Sequence, residues 1–563
     1  MLLRALRRQV ERSPERVSVR HVSLRGGEST RTYAEVWAAA ERAAGALGAL
    51  GVRPGDVVVL IGTHHPDLYG AWLGAVWCGA IPTILAEPSV RIDRAEYAAR
   101  LGRLLSAVGA SLVLLSPELM QGWQPPGDQR TASYSELVQG PRAAGEPHAA
   151  ESGDPLLLQH SSGTTGLQKG VVLTHRTVMT HAEAYGKVLE LGEQDVVASW
   201  LPLYHDMGLI ACFVTPLLFG VPVVWFSPFE WVAEPLSLLH AVGTHRVSLI
   251  WLPNFAFCLL ADRAAKGGAA LSLGSLRAVV NCSEPVTAEA MDYFCERFAP
   301  HGLSRAALHT CYAMAENVFG IAASNSAAPP RRLYVDPAAW QTTQTAIDAA
   351  DTDRALSLVS SGTCLPGASV RVTLDDGTEA PPRRAGRLLI RSPFLFEGYF
   401  RRPDLNRGLL VDGYFDTGDV GFLDEHGHVY VTGRKKDLII CGGRNLHPQD
   451  IEAAAASVDA VYPGRAVAFG VPLRIGTEGV VVLVESEADA ARWPEIAANV
   501  RRRVPARLDV DLVDAKVVAR TVLKKSTSGK LARGANRRAY LEGSFGRVAP
   551  EVVTAPPPAR GGV

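Results

Sequence analysis

The chain has 563 residues, too many for a single hydrophobic core, and its 47% hydrophobic and 20% charged residues are those of a globular protein with several domains or subdomains. The 57 basic and 57 acidic residues leave no net field, which excludes the strongly basic chains that hold nucleic acid by overall charge. Eight scattered cysteines with no Cys-x-x-Cys pair exclude a disulfide framework, and the thiols are expected to be reduced, in a cytoplasmic protein. At the N-terminus, "MLLRALRRQVERSPERV" has Arg4, Arg7 and Arg8 at helical spacing among its apolar residues, so no secretory segment is expected. From about residue 30 to 320, short apolar runs such as "DVVVLIG" and "SLVLLS" alternate with longer helical patterns such as "LYGAWLGAVWCGAIPTIL". That alternation predicts parallel sheets covered by helices, an α/β class. The apolar run at residues 209–226 approaches membrane-spanning length, but Pro216, Gly220 and Pro222 divide it into a short helix and a strand, so no membrane segment is expected. After about residue 360 short strands take over, with hairpin signals at Asp376-Gly377 and His426-Gly427. Beyond Arg434 a separate strand-turn-helix pattern begins, with Pro448 in the first turn of a helix, and it ends near residue 545. The expected organisation is a large N-terminal domain over 1–433, made of two α/β sheets and a β-rich subdomain, a hinge at 434–437, and a small mobile α+β C-terminal domain over 438–545. Residues 546–563 are Pro/Ala/Gly-rich and expected to be disordered.

The chemistry first surfaces in "SSGTTGLQKG", between two apolar, β-branched runs. Small residues let backbone N–H groups approach an anion closely, the hydroxyls of Ser161, Ser162, Thr164 and Thr165 can bond phosphate oxygens, and Lys169 supplies a cation. Gly163 and Gly166 give the loop its freedom. It is not a Walker A loop, because no Gly-Lys-[Ser/Thr] follows at that spacing and the next run, "GVVLTH", reads as a strand where a P-loop needs a helix.

This loop resembles the nucleotide-binding loop of the adenylate-forming superfamily, which includes acyl-CoA synthetases, luciferases, peptide-synthetase adenylation domains and fatty acyl-AMP ligases. Further motifs follow in the family's order: "LPLYHDMGLI", "NCSEPV", "YAMAE", "YFDTGDVGF", "GRKKDLI" and "KKSTSGK". The resemblance implies ATP and Mg²⁺ as cofactors and formation of an acyl-adenylate. It implies that Glu316 helps to place Mg²⁺, that Tyr312 stacks on adenine with Ala313, Met314 and Ala315 beside it, and that Ser283, Glu284 and Pro285 line adenine and ribose. By the same resemblance Asp419 accepts the ribose hydroxyls, Arg434 contacts the ribose, Lys436 is the hinge, and Lys530 bridges the carboxylate and the α-phosphate. His205, at the mouth of the acyl pocket, is assigned a positioning role.

Three features are closest to the fatty acyl-AMP ligase branch: "GGRNLHPQDIE", "LPNFAF", and the long stretch from 324 to 360 where that branch carries an insertion. In that branch the insertion disfavours CoA, and the acyl group goes to the phosphopantetheine thiol of an acyl carrier protein, here within natural-product biosynthesis. The chain departs from the branch just before "PNFAF", where Ile250, Trp251 and Leu252 replace the usual small residues. Bulky side chains there fill the tunnel for a long tail, so a compact acid is expected. The alternatives are CoA or an amine as acceptor, a small oxyacid such as nitrite as substrate, and a non-catalytic nucleotide-binding relative.

Overall fold

Val57–Ile61 is buried on both faces, as a central parallel strand must be. Its side chains alternate between two cores: Val58 and Leu60 enter the main core, while Val57, Val59 and Ile61 pack with Leu101, Leu105 and Leu115 on the other face. The computed structural model describes residues 1–552 apart from 25, 63, 89–93, 161–167, 266, 268–269, 326–328, 353–354, 442–443, 463, 474–477, 526–529, 547 and 551. Among these, Val57–Ile61 lies in a four-stranded parallel sheet with Ile81–Leu85, Ala110–Leu115 and Thr131–Ser133. A second sheet has nine strands, with Val197–Ser199, Val223–Phe226, Leu249–Leu252, Ala278–Cys282 and Leu308–Ala313 parallel at its centre. Strands of both sheets and the helices Tyr33–Ala49, Pro66–Trp77 and His175–Val188 contribute to the same main core.

The apolar run divides as its prolines and glycine require. Met207–Val214 forms a π-helix, Thr215–Phe219 an α-helix ended by left-handed Gly220 (φ 72°), and Val223–Phe226 a central strand. Among the described residues no helix is long and apolar enough to cross a membrane. The eight cysteines are free thiols. In the β-rich part, Ser369–Thr373, Gly386–Arg391 and Tyr414–Leu423 form antiparallel pairs, and Tyr414–Leu423 turns into Val429–Arg434. Gly377 and Gly427 adopt φ of 86° and 77°, the left-handed backbone their turns demand.

Beyond the 3₁₀ turn Lys435–Asp437 the chain builds a body with its own core, in which Ile451, Val482 and Val500 pack between the sheet and the helices Pro448–Ala456 and Trp493–Leu508. On the sheet's other face Phe469, Leu483 and Tyr540 pack with Val552. Val552 is 5% exposed and bridges Leu473, so the tail expected to loosen at 546 remains packed there; residues 553–563 lie outside the described set. The 324–360 stretch contributes the hairpin Arg332–Val335 and Leu356–Val359 and the helix Pro337–Thr343, whose Trp340 packs with Phe422 and Tyr430.

Candidate active site

Strand register decides where the motifs meet. Leu249–Leu252, Ala278–Cys282 and Leu308–Ala313 pair as Leu252↔Asn281 and Cys282↔Cys311, so the residues that follow them emerge together at the carboxyl edge of the sheet, where open α/β folds bind ligands. Ser283 leaves its strand with φ 70°, a rare conformation for a residue with a side chain. Asn254 holds this loop: its Oδ1 accepts from Asn281 Nδ2 at 2.9 Å and from Thr287 N at 3.3 Å. The Glu284 carboxylate accepts from Phe255 N at 3.0 Å, so it secures the loop against the "PNFAF" segment while Ser283 and Pro285 remain at the edge. Asn254 lies within "LPNFAF", where nothing in the local pattern distinguishes it.

Ala313 ends the next strand, Met314 turns out of it, and Ala315, Glu316 and Asn317 form one 3₁₀ turn. Val318 then adopts φ 65° and ψ −57°, with Phe319 N donating to Asn317 O at 2.7 Å. This tight γ-turn places a β-branched residue where strain of about 1–3 kcal/mol is stored, and it holds Glu316 out at the edge. Glu316 Oε1 accepts from Tyr399 Oη at 3.0 Å. The segment carrying Tyr399 runs beside the strand Gly170–Thr174, with Phe400 N donating to Gly170 O at 2.8 Å. As a result Lys169 Nζ stands 4.6 Å from the centre of the Tyr399 ring. One tyrosine thus joins the glycine loop's lysine to Glu316, and no motif spacing marked it. Ser161, Ser162, Gly163, Thr164, Thr165 and Gly166 lie outside the described residues.

Asp419 and Arg434 are directly opposite each other in the hairpin. Asp419 Oδ1 pairs with Arg434 Nε at 3.1 Å and Oδ2 accepts from Tyr312 Oη at 2.6 Å, which leaves lone pairs on both oxygens for further donors. Tyr312 is 7% exposed. Burial pushes the Asp419 carboxyl above its usual range while Arg434 and Tyr312 oppose it. Burial and the charges of Arg434 and Lys169 lower the Lys436 ammonium, placing these cations within electrostatic reach of one another.

Lys530 approaches from the C-terminal body, and its charge depresses the pKa of both His205 and Asp206. Burial is the larger cause at His205, which is held at about 3, and among the described residues its Nε2 is buried without a hydrogen-bond partner. At Asp206 burial wins and the carboxyl is raised. Asp206 caps the π-helix through Met207 N at 2.8 Å, and its charge adds to the burial that raises Glu316. Asp206 lies inside "LPLYHDMGLI" beside His205, and only the arrival of Lys530 in the folded chain distinguishes it. Among the described residues no group of three or more histidine, cysteine or acidic side chains could hold a metal ion alone. Glu316, which accepts from Tyr399 and senses the charge of Asp206, is an oxygen donor of the kind a Mg²⁺ takes when phosphate oxygens and water supply its remaining ligands.

Ile250, Trp251 and Leu252 are all buried, but adjacent strand residues point to opposite faces, so they do not form one wall. Trp251 faces the helix His175–Val188, where its Nε1 donates to Tyr185 Oη at 2.8 Å. The Tyr185 hydroxyl lies within electrostatic reach of Cys282, which ends its strand, and of Cys311, its partner on the next strand. Ile250 and Leu252 therefore point to the opposite face of the sheet from Trp251.

Residues 6–400 match the family described as AMP-binding enzyme. The long-chain-fatty-acid–AMP ligase FadD32 of Mycolicibacterium smegmatis is 29% identical over 88% of this chain and 87% of its own length. The medium-chain-fatty-acid–[acyl-carrier-protein] ligase JamA of Moorena producens is 29% identical over 69% of this chain and 68% of its own. A solved structure from work on fatty acyl-adenylate ligases of E. coli and L. pneumophila superimposes with a TM-score of 0.88 at 27% identity, covering 95% of this chain and 97% of that one.

Proposed function

Given that the chain belongs to the AMP-binding, adenylate-forming family of ligases, we propose that it activates a compact carboxylic acid as the acyl-adenylate and transfers the acyl group to the phosphopantetheine thiol of an acyl carrier protein. The observation that carries the choice of acid is the Trp251–Tyr185 hydrogen bond, which fills the space beside the carboxyl edge with two fully buried aromatic side chains. Relatives named as acyl-AMP and acyl-carrier-protein ligases support the acceptor.

In the first step a carboxylate oxygen attacks the α-phosphorus in line, and the bond to the bridging oxygen breaks to release pyrophosphate. Two anions must meet, so Lys169, Arg434 and Lys530 offset their charge, with Lys530 placed at the reacting centre. Glu316 is the residue that would hold Mg²⁺, which when bound neutralises phosphate charge. Asp419 accepts from the ribose hydroxyls, and neutral His205 fixes the carboxylate's approach. In the second step the carrier's thiol sulfur attacks the acyl carbon and AMP leaves.

Pyrophosphate release measured across linear acids from two to twelve carbons and a set of aryl acids tests this reading. Wild type is expected to prefer compact acids, and Trp251→Gly to shift preference toward longer chains, by about 0.8 kcal/mol for each methylene accommodated. The cavity costs about 3–5 kcal/mol of stability, so the melting temperature is measured alongside. Wild-type turnover of dodecanoate at the rate of the compact acids would overturn the choice of acid. Mass spectrometry of holo carrier proteins and of CoA after turnover tests the acceptor, and a thioester found on CoA alone refutes the carrier.

A further inference from the structure

Lys530 stands just before the helix Arg533–Leu541, outside regular secondary structure, and such a position alone does not fix a cation to within an ångström. Described residues on either side of it are tied together. Lys525 bridges Leu531, Ala532 N donates to Lys524 O at 2.9 Å, and the Asn536 amide both accepts from Lys524 N and donates to Lys524 O at 2.9 Å. Three residues after Lys530, Arg533 opens the helix Arg533–Leu541. Its guanidinium forks onto Glu452 of the helix Pro448–Ala456, with Nε to Oε1 at 2.8 Å and Nη2 to Oε2 at 2.6 Å. Nη1 reaches Asp437 Oδ2 at 3.2 Å, one residue beyond Lys436. Glu452 Oε1 also accepts from Ala468 N at 3.0 Å, which fixes the fork to the central sheet of the C-terminal body. All three side chains are largely shielded, at 18–23% exposed.

We propose that Arg533 is a positioning residue of the adenylation step: it locks the Lys530 segment and Asp437, the last residue of the hinge, onto one rigid frame, so that rotation about Lys436 delivers Lys530 to a single point. Without Asp437 tied down, the flexible segment extends past Lys436 and the lever that carries Lys530 loses its fixed length. A bidentate fork supplies direction as well as charge, which a lysine ammonium does not. The proposal rests on the assignment of Lys530 to the reacting centre.

Removing the guanidinium outright leaves two shielded carboxylates unpaired and endangers folding. The test therefore uses Arg533→Lys, which keeps the charge and loses the fork, and Asp437→Asn, which releases the hinge end alone. Each is compared with wild type and Lys530→Ala, with the fastest acid of the C2–C12 and aryl series as probe. Both variants are expected to lose tenfold or more in kcat for pyrophosphate release, while KM for ATP and Kd for AMP stay within about threefold. A lost folded fraction would lower the apparent kcat alone, so a wild-type melting temperature and full stoichiometry of AMP binding are required of each variant. Wild-type kcat in folded Arg533→Lys and Asp437→Asn, with Lys530→Ala inactive, overturns the proposal. Parallel loss of kcat and AMP affinity overturns it as well. Full activity in Lys530→Ala instead removes the assignment on which it rests.

Discussion

His205 and Glu316 face the same cleft, and their surroundings push their titrations apart. Burial and the Lys530 charge hold His205 at about 3, so its ring stays neutral at every pH at which such an enzyme works. Burial and the charge of Asp206 raise the Glu316 carboxyl against the hydrogen bond from Tyr399, so its carboxylate takes up a proton at a higher pH than an ordinary glutamate. Only the ionised form holds a cation. The acid limb of kcat/KM is therefore expected above the ordinary glutamate value of about 4.3 and to belong to Glu316. Replacing His205 by Asn should lower the rate and leave that limb where it is. A pH–rate profile of the two proteins checks this, and a limb that vanishes in His205→Asn would make the histidine the titrating group. The stability sign is separate: a histidine lowered from about 6.5 to about 3 withdraws stability as pH falls through that window, by up to about 1.4 kcal/mol per pH unit.

The π-helix Met207–Val214 carries the consequence of one glycine. A Cβ on Gly208 would stand 2.3 Å from Pro202 O and 2.8 Å from Leu201 O, backbone atoms of the turn that leads into His205 and Asp206. The wider π turn and the missing side chain together let the helix press against that turn. In the helix His175–Val188 a Cβ on Gly186 would meet the Phe219 ring at 2.3 Å, a side chain away from the carboxyl edge. Both Ala variants are expected to lose about 1–3 kcal/mol of stability through overpacking. Gly208→Ala should also lose adenylation rate out of proportion, because its relief displaces His205, whereas folded Gly186→Ala should keep the wild-type kcat. Equal specific activity of the two variants would show that the π-helix does not set the histidine's position.

At the scale of the molecule, the 324–360 segment bridges the two bodies. Gln344 Nε2 donates to Asn445 O at 3.0 Å, its Oε1 lies 2.8 Å from His447 Nε2, and Trp340 stacks on the His447 ring at 5.3 Å. Gln341 Nε2 donates to Leu508 O at the end of the helix Trp493–Leu508. These contacts hold the C-terminal body in the pose that presents Lys530. Gln344→Ala removes two of them with little loss of packing, and is expected to leave adenylation within about threefold while raising thioester formation with CoA relative to a carrier protein. An unchanged acceptor ratio would separate the segment from acceptor choice. Lys436→Pro acts on the proposed pivot, by fixing φ, and is expected to preserve adenylation while thioester formation falls. Equal loss of both steps places the pivot elsewhere.

Local residue order was enough for the alternating strands and helices, the breaks at Pro216, Gly220 and Pro222, the turns at Gly377 and Gly427, and the ordered motifs from the glycine loop to Lys530, because each is written within a few neighbouring residues. What the sequence left open depends on which distant segments meet. Tyr399 joins Glu316 to Lys169 only because its segment pairs beside Gly170, and Asp206 matters only because Lys530 arrives from more than 300 residues away. The same cause separated Ile250 and Leu252 from Trp251: the run of three bulky residues is local, but the period of a paired strand sends only the indole to Tyr185. Sequence fixed the chemical groups in this protein, and strand register and packing across the sheet edge fixed which of them share one site.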